Sequence, residues 1–279
     1  MRKDNLGDRM KSYENITRTY LPSRMPIIIR IDGKAFHTFT KGFKKPFDDI
    51  LMRAMEETAA VLCRDIEGVK VAYTQSDEIS LLITNNDTWE TQPWFGNNLQ
   101  KMASVAASIA TLAFNRAFNA LVHDFINDVY YKDPSVTTSK VLDIYLDARD
   151  KGATFDARVF VLPADEVCNY FWWRQADAQR NSIQACGQFY FSHKELQHKS
   201  SKDIQEKLLL EKNFDWNVLP NSKKYGVCIV KKPQTVKTEV NFNTSEFTKI
   251  CKNKWVVDEN IPLFFENRNY INQHLKITL

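Results

Sequence analysis

An uninterrupted run of mostly β-branched residues, MPIIIRID, constrains the fold of this chain more than any other feature of its sequence. The run extends from Met25 to Asp32 and is too short for a buried helix. A continuous apolar run of this kind is typical of a central β-strand that is covered on both faces. It ends in a carboxylate, Asp32, which is followed at once by Gly33. A strand that we expect to be buried therefore brings an acid to its tip.

The segments that follow predict a β-α-β-β-α-β order, after a short helix within residues 11–22. A loop, GFKKPFDD, leads into the helix DILMRAMEETAAVLCRDIEG, for which Asp48 is the expected cap. VKVAY and ISLLIT predict a hairpin joined by TQSDE. LQKMASVAASIATLAFNRAFNALVHDFI predicts a long helix, a polar loop around Pro134 follows, and FDARVFVLP predicts a strand. This order indicates a ferredoxin-like antiparallel sheet with two helices on one face, the frame of polymerase palms.

The character of the sequence changes after Pro163. ADEVCNYFWWRQADAQRNSIQACGQFYF predicts a long helix, and SSKDIQEKLLLEK predicts a shorter one capped by Ser200 or Ser201. KYGVCIVKK, VKTEVNF and KWVVDE predict strands of a small C-terminal sheet. We therefore expect an α+β protein, with a palm-like catalytic domain and its N-terminal helix in residues 1–163. Residues 164–279 are expected to form the C-terminal helices and the small sheet, packed on the palm.

Composition excludes several classes of protein. The 279 residues are 43% hydrophobic, and the net charge of +4 permits a polyanionic partner without requiring one. The five cysteines form no CxxC pair, which argues against a zinc cluster or a disulfide framework and favours a cytoplasmic location. The N-terminus is polar and predicts no signal peptide. The apolar stretch MASVAASIATLAF is too short to span a bilayer, so we expect no membrane partner.

Two further acids, Asp77 and Glu78, interrupt the apolar residues of the hairpin. In the predicted topology the first strand and the hairpin are neighbours, so Asp32 and Asp77 approach each other. Two nearby carboxylates repel unless a cation lies between them. Oxygen ligands suit Mg²⁺, and the carbonyl of Gly33 adds another. Either acid alone is typical of a turn or cap, but the pair on these strands predicts a site for two Mg²⁺ ions.

Basic residues surround the first acid and indicate a phosphate ligand. Lys101 opens the second long helix, and Arg174 and Arg180 are expected on one face of the third helix as further phosphate contacts. Trp172 and Trp173 are expected in the core. The sequence contains no GxGxxG, Walker loop, nucleophile elbow or HExxH motif. The basic residues that surround Asp32 in the sequence are Arg30, Lys34, His37, Lys44 and Lys45.

Five segments together resemble the tRNA(His) guanylyltransferase superfamily. They are RIDGKAFHTFT with FKKPFDD, YTQSDEISLLI, SVAASIATLAFN, FDARVFVLP and WRQADAQRNSI, in order between Pro26 and Ser192. LQHKSSKDIQEKLLLEKNFDWNVLP and KYGVCIVKK fit as well, so the resemblance covers most of the chain. It implies addition of nucleotides to a tRNA 5′ end in the 3′-to-5′ direction. The 5′-phosphate is first activated by a nucleoside triphosphate, ATP or GTP, and then attacked by the 3′-hydroxyl of the incoming nucleotide. A homotetramer is also implied.

The resemblance assigns roles to individual residues. It implies that Asp32, the Gly33 carbonyl and Asp77 bind two Mg²⁺ ions, with Glu78 beside them in the catalytic motif. Lys45 matches the lysine of the family's KPND motif. With Lys101 and Arg180 added for their charge, the expected nucleotide-binding set is Asp32, Gly33, Lys34, Ala35, Phe36, His37, Lys45, Ser76, Asp77, Lys101, Arg180 and Asn181.

Two departures indicate a particular branch of the superfamily. The eukaryotic HINNLYN motif is QRNSIQA here and keeps only Asn181, and KPND is KPFD, with Phe47 in place of Asn. Both are typical of the bacterial and archaeal guanylyltransferase-like branch, whose members favour templated repair of 5′-truncated tRNA.

Two other functions remain open on the residues alone. A palm-fold nucleotide cyclase or signalling-nucleotide synthase would use the same acids without tRNA. A non-catalytic RNA-binding module on this frame would need aromatic residues in its central strands, where Tyr73 is the only one.

Overall fold

The computed structural model describes residues 5–132, 140–241 and 246–275, which form an α+β structure. The predicted loop around Pro134 lies outside these residues. The strands are β1 (Ile27–Gly33), β2 (Val69–Gln75), β3 (Glu78–Ile83), β4 (Phe155–Val161), β5 (Val227–Asn241) and β6 (Glu246–Asp258). The helices are α1 (Asn5–Asn15), α2 (Phe36–Phe39), α3 (Asp49–Asp65), α4 (Leu99–Lys132), α5 (Lys140–Lys151), α6 (Ala164–Tyr190), α7 (His193–Leu196), α8 (Ser201–Lys212), α9 (Asn221–Tyr225) and α10 (Asn269–Asn272).

All six described strands form one sheet in the order β4-β1-β3-β2-β5-β6, with antiparallel neighbours throughout. The succession β1, α3, β2, β3, α4, β4 is the one expected from the sequence. Asp48 accepts a hydrogen bond from the Leu51 N–H and caps α3 as predicted. Ser200 caps α8 in a reciprocal arrangement with Asp203.

The prediction of a small C-terminal sheet is wrong, because its strands belong to the central sheet. β5 pairs with β2, and β6 pairs with β5, so the C-terminal hairpin extends the central sheet. The physical reason is that β2 would otherwise expose an unpaired edge, which β5 covers with backbone hydrogen bonds. KYGVCIVKK and VKTEVNF, expected as two strands, form the single strand β5 up to Asn241, with an irregularity between Thr235 and Lys237. Phe242 lies outside the described residues.

The sheet is covered on both faces, as the run MPIIIRID predicted. Ile27, Ile29 and Ile31 pack with residues of α3 and α4, whereas Ile28 packs with residues of α6 on the other face. All four side chains are fully buried. Each contributes roughly 2 kcal/mol through the hydrophobic effect, which makes β1 the centre of both cores.

Two helices differ from the sequence-based expectation. α5 was not expected, and α1 lies earlier in the chain than the helix expected in residues 11–22. Tyr145 and Ala148 are the buried residues of α5, and Tyr145 joins the aromatic cluster around Phe118. This helix therefore forms because a few apolar residues find partners on α4 and the loop before α3.

One described helix, over Leu99–Asp128, is long and apolar enough by length and composition to cross a membrane. The shorter stretch considered in the sequence had not met that length. Met102, Phe114 and Phe118 of this helix are buried against the sheet, and 44% of the tested window is inside the protein. Core packing therefore accounts for its apolar composition.

We predict that Glu56 on α3 makes stability depend on pH. Burial, and then the charge of Glu259, raises the pKa of Glu56 from 4.5 to about 7 in the folded protein. The stabilising contribution of its bound proton is therefore complete below pH 4.5 and is lost as the pH rises through 7. Glu56→Gln should raise the free energy of unfolding at pH 8 by about 1 kcal/mol, a value reduced for partial solvent exposure, and have little effect at pH 4.

Urea unfolding at the two pH values measures this difference. Glu67→Gln, at an exposed position near the end of the same segment, is the control and should change stability equally at both. A gain from Glu56→Gln that does not depend on pH would contradict the prediction.

Candidate active site

The end of β1 and the turn between β2 and β3 are joined by a backbone hydrogen bond. The N–H of Gly33 donates to the carbonyl oxygen of Asp77 at 3.0 Å. Asp32 lies directly across from Glu78 in the β1–β3 register. Asp32, Asp77 and Glu78 therefore come together at one end of the central strands, which the predicted topology required of the first two.

The backbone at both acids has little freedom to change. A Cβ atom on Gly33 would lie 2.2 Å from the ring of Phe36, so no other residue fits there without movement of that ring. Ala35 and Ser76 both have left-handed backbone angles, with φ of 53° and 51°. Such conformations in non-glycine residues are concentrated at functional sites, where the surrounding structure imposes them.

A cavity of about 490 Å³ opens beside the acids. Its wall combines the loop after Asp32, the loop before α3, the β2–β3 turn and one residue of α6. This volume is typical of a site for a small molecule. The lining residues are Gly33, Ala35, Phe36, His37, Thr40, Phe43, Lys44, Lys45, Pro46, Asp48, Leu51, Ser76, Asp77 and Ala185.

The loop that contains Lys44 and Lys45 is held by the buried carboxylate of Asp48. Its oxygens accept hydrogen bonds from the Lys44 N–H at 3.1 Å, the Leu51 N–H at 2.9 Å and the Tyr145 hydroxyl at 2.6 Å. Because the loop backbone is fixed, the two exposed lysine side chains remain next to the cavity. They supply positive charge to the cavity that Asp77 also lines.

Glu78 forms a buried ion pair that the sequence analysis did not identify. The Arg174 Nε donates to Glu78 Oε1 at 2.7 Å, and both side chains are only 7% exposed. Arg174 also donates to Asp177 Oδ2 at 2.8 Å. This network ties α6 to β3 immediately behind the acids. The only sequence signal was an arginine within the aromatic segment WWRQAD.

Arg174 and Arg180 do not share a face of α6, contrary to the expectation. Six residues correspond to 600° of rotation, or 240° around the helix. Arg174 points to the sheet, whereas the Arg180 side chain is 65% exposed. Asp177 nonetheless links them, because Arg180 pairs with its other oxygen and Asn181 donates to Oδ2 at 3.4 Å.

Burial dominates the electrostatics of the two acids in the hairpin. It raises the pKa of Asp77. A hydrogen bond from Ser76 lowers this pKa, and the negative charge of Asp32 raises it further. Burial also raises the pKa of Glu78, and Arg174 opposes the rise. Asp77 thus has burial and a neighbouring negative charge but no described basic partner.

Arg30 lies between two of the acids. Its Nη2 is 3.5 Å from Asp32 and its Nε is 3.6 Å from Glu78. The Nε is buried without a hydrogen-bond partner among the described residues. The positive charge of Arg30 therefore lies near both carboxylates, but at distances longer than those of strong ion pairs.

Lys101 is not brought to this cluster. It lies on the first turn of α4, where its N–H bonds to Asn98 and its ammonium faces Phe95. Leu99 bonds to Thr19, in the segment that leads into the start of β1. Asp32 is at the far end of β1, so within one chain Lys101 does not line this cavity, and its assignment as a phosphate contact stays a prediction.

The loop from Lys34 to His37 divides into buried and exposed members. The Phe36 ring is 5% exposed and packs against Phe39, Phe114 and Phe155, so its main contacts are with the core. Lys34 and His37 are exposed. The backbone N–H of Lys34 donates to Thr154, which leaves its side chain available to a ligand.

The comparisons with known proteins identify the family. The family model described as tRNAHis guanylyltransferase, Thg1, matches residues 7–163. A bacterial tRNA(His) guanylyltransferase-like protein solved in complex with ATP is 44% identical, with a TM-score of 0.77 over 98% of this chain and 100% of that one. One solved in complex with GTP is 42% identical, with a TM-score of 0.75 over the same shares.

A curated relative agrees with this result. The probable tRNA(His) guanylyltransferase of Dictyostelium discoideum is 24% identical over 247 residues, which are 84% of this chain and 86% of that protein. These matches do not favour the cyclase alternative or a non-catalytic RNA-binding module. The chain belongs to the tRNA(His) guanylyltransferase family and is a nucleotidyltransferase that adds nucleotides to tRNA.

Proposed function

We propose that this enzyme adds nucleotides in the 3′-to-5′ direction to the 5′ ends of tRNA, with ATP and GTP as substrates. The observation that supports this most directly is the hydrogen bond between Gly33 and Asp77, which brings the acids to the mouth of the cavity. A catalytic domain of the polymerase-palm type, built on the four strands β1 to β4, is part of the proposal.

The donors at this point fit Mg²⁺. Asp32, Asp77 and the carbonyl of Gly33 offer oxygen atoms only, and Mg²⁺ prefers oxygen ligands and keeps several waters or phosphate oxygens. Among the residues described, no group of three or more His, Cys, Asp or Glu side chains surrounds one point. This suits ions completed by substrate phosphates better than a closed structural metal site. Bound there, two Mg²⁺ ions would supply positive charge to the reacting phosphate and to the departing pyrophosphate.

The chain's own residues would orient the nucleotide. Lys44 and Lys45 line the same cavity as Asp77 and suit the phosphates of ATP or GTP, and Ser76 can donate a hydrogen bond from the turn. Asn181 lines an adjoining cavity that shares Ser76 with the first. A nucleotide held between the lysines and the acids would have its reactive phosphate next to Asp32 and Asp77.

Glu78 would have a supporting role. Its hydrogen bond to Arg174 keeps the carboxylate oriented across from Asp32. Because an unpaired buried charge is costly, this pair also favours one position of α6 relative to the sheet. We propose that Glu78 and Arg174 hold the metal-binding acids in the geometry that the reaction needs.

We propose templated repair of 5′-truncated tRNA as the main activity, rather than obligatory addition of G to tRNA(His). The departures QRNSIQA and KPFD support this. So does the higher identity to the bacterial guanylyltransferase-like protein, 44%, than to the Dictyostelium discoideum enzyme, 24%. The homotetramer and the cytoplasmic location stay predictions.

Asp77→Asn should abolish nucleotide addition, with at least a hundredfold loss of kcat/KM, because one charged metal ligand is removed. The stability should stay the same or rise slightly, since a buried acid beside Asp32 is neutralised. Incorporation of a labelled nucleotide into tRNA, combined with thermal unfolding, measures both. Asp65→Asn, at the end of α3, is the control, and full activity in Asp77→Asn would refute the metal assignment.

Arg174→Gln should destabilise the protein by about 3 kcal/mol, because it leaves the Glu78 carboxylate buried without its partner. Urea unfolding at pH 7 measures the loss. The double variant Arg174→Gln with Glu78→Gln removes the unpaired charge and should recover part of that stability. If the double variant lost the sum of the two single effects, the pair would not be coupled as we propose.

Single nucleotides offered to defined tRNAs test the templated activity. We expect each 5′-truncated tRNA to receive only the nucleotide complementary to the base opposite the gap. Full-length tRNA(His) without its extra 5′ nucleotide is the comparison substrate, assayed with ATP, CTP, GTP and UTP separately. Addition of G regardless of the opposite base would overturn the repair assignment.

A further inference from the structure

Trp173 is exposed and contacts Arg174, the ion-pair partner of Glu78, although the sequence suggested a core position. Its side chain is 55% exposed, and Trp172 is 43% exposed. The two indoles have different surroundings. Trp172 contacts Phe265 at a centroid distance of 6.0 Å, on the side of α6 away from the sheet. Trp173 contacts Tyr170 and lies over Arg174.

One face of the Trp173 ring is covered by a fixed cation. The Arg174 guanidinium carbon lies 4.4 Å from the ring centroid, within the range of cation–π interactions. Arg174 is itself held by Glu78 and Asp177. The indole is therefore pre-positioned: one face lies against Arg174, and more than half of the residue is exposed. The opposite face is the one that a ligand could cover.

We infer that this exposed face of Trp173 stacks on a base of the tRNA acceptor end, next to the 5′ end that receives the nucleotide. The inference rests on the proposed function. Arg174 contacts both Trp173 and Glu78, and Glu78 is the register neighbour of Asp32. A group bound on this ring would thus be one arginine side chain away from Glu78, on the approach that an RNA end needs to reach the acids.

The charges beside Trp173 suit an RNA backbone. Arg180 is seven residues further along α6, on the same face, and its side chain is 65% exposed. Arg158 of β4 is on the same sheet face as Asp32, and its side chain is 58% exposed. Exposed arginines next to an aromatic ring are the combination that binds single-stranded nucleic acid, with phosphates on the cations and bases on the ring.

The incoming nucleotide would use a different side of α6. Ala178, Ser182 and Ala185 line the cavities near Lys44 and Ser76, and their spacing of four and three residues places them on one face. Ala178 is five residues beyond Trp173, which is about 140° around the helix. RNA and nucleotide would therefore reach the acids from two sides of α6, so Trp173 should influence the tRNA and not the triphosphate.

The test uses the full chain and a 5′-truncated tRNA with 2-aminopurine opposite the first missing nucleotide. We compare wild type, Trp173→Ala, Trp173→Phe and, as a matched control, Trp172→Ala. Trp173→Ala should raise KM for tRNA about tenfold or more, as expected for the loss of one stacked base. KM for ATP should change less than twofold, and the quenching of 2-aminopurine on binding should be lost. Trp173→Phe should restore most of both tRNA properties, and Trp172→Ala should behave as wild type.

Unchanged KM for tRNA and unchanged quenching in Trp173→Ala would overturn the inference. An equal rise in KM for ATP, or no rescue by Trp173→Phe, would also overturn it, because the indole would then act only by supporting Arg174. The wild-type measurement separates the two proposals. If the wild type adds no nucleotide to tRNA, the proposed function fails, while quenching in the wild type and its loss in Trp173→Ala still report stacking.

Discussion

The buried ion pair between Arg174 and Glu78 is the contact on which the active end of the molecule depends. It joins α6 to the middle of the sheet at 2.7 Å, at the level of Asp32. A charge pair at this depth tolerates little displacement, because separation would leave two desolvated charges. The positions of Asp177 and Trp173 follow from it, since both contact Arg174. The cavity wall formed by α6 depends on it as well, because α6 is a single rigid helix.

The sheet supplies the other half of the site. β1 is buried on both faces and lies between β3 and β4, so its end cannot move independently of its neighbours. The N–H of Gly33 then finds its partner in the β2–β3 turn instead of in water. Two acids, Asp32 and Asp77, are consequently held close together, and the charge of Asp32 adds to burial in raising the pKa of Asp77.

Much of the fold followed from local patterns, and the errors have physical causes. The succession β1, α3, β2, β3, α4, β4 was predicted, although α5 was not, because periodicity and caps such as Asp48 are local. The pairing of β5 with β2 was missed because strand partners are chosen by unsatisfied edges, which no local pattern reveals. Arg174 was noticed but not paired with Glu78, since 96 residues separate them. The distance of Lys101 from the cavity could not be read from the sequence, because a helix N-terminus can lie at either end of a sheet.

The sequence by itself determined which chemistry is possible. The acids, the glycine and the lysines of the site lie in three segments, RIDGKAFH, SDE and KKPFDD. The similarity of these segments to a known family indicates a tRNA nucleotidyltransferase. Only the tertiary structure decided which groups act together. In the structure Glu78 is buried against Arg174, Lys101 lies at the other end of β1 from Asp32, and Trp173 is exposed next to Arg174. The reason is that residue types and spacing define local conformation, whereas burial and pairing of charges depend on contacts between distant segments.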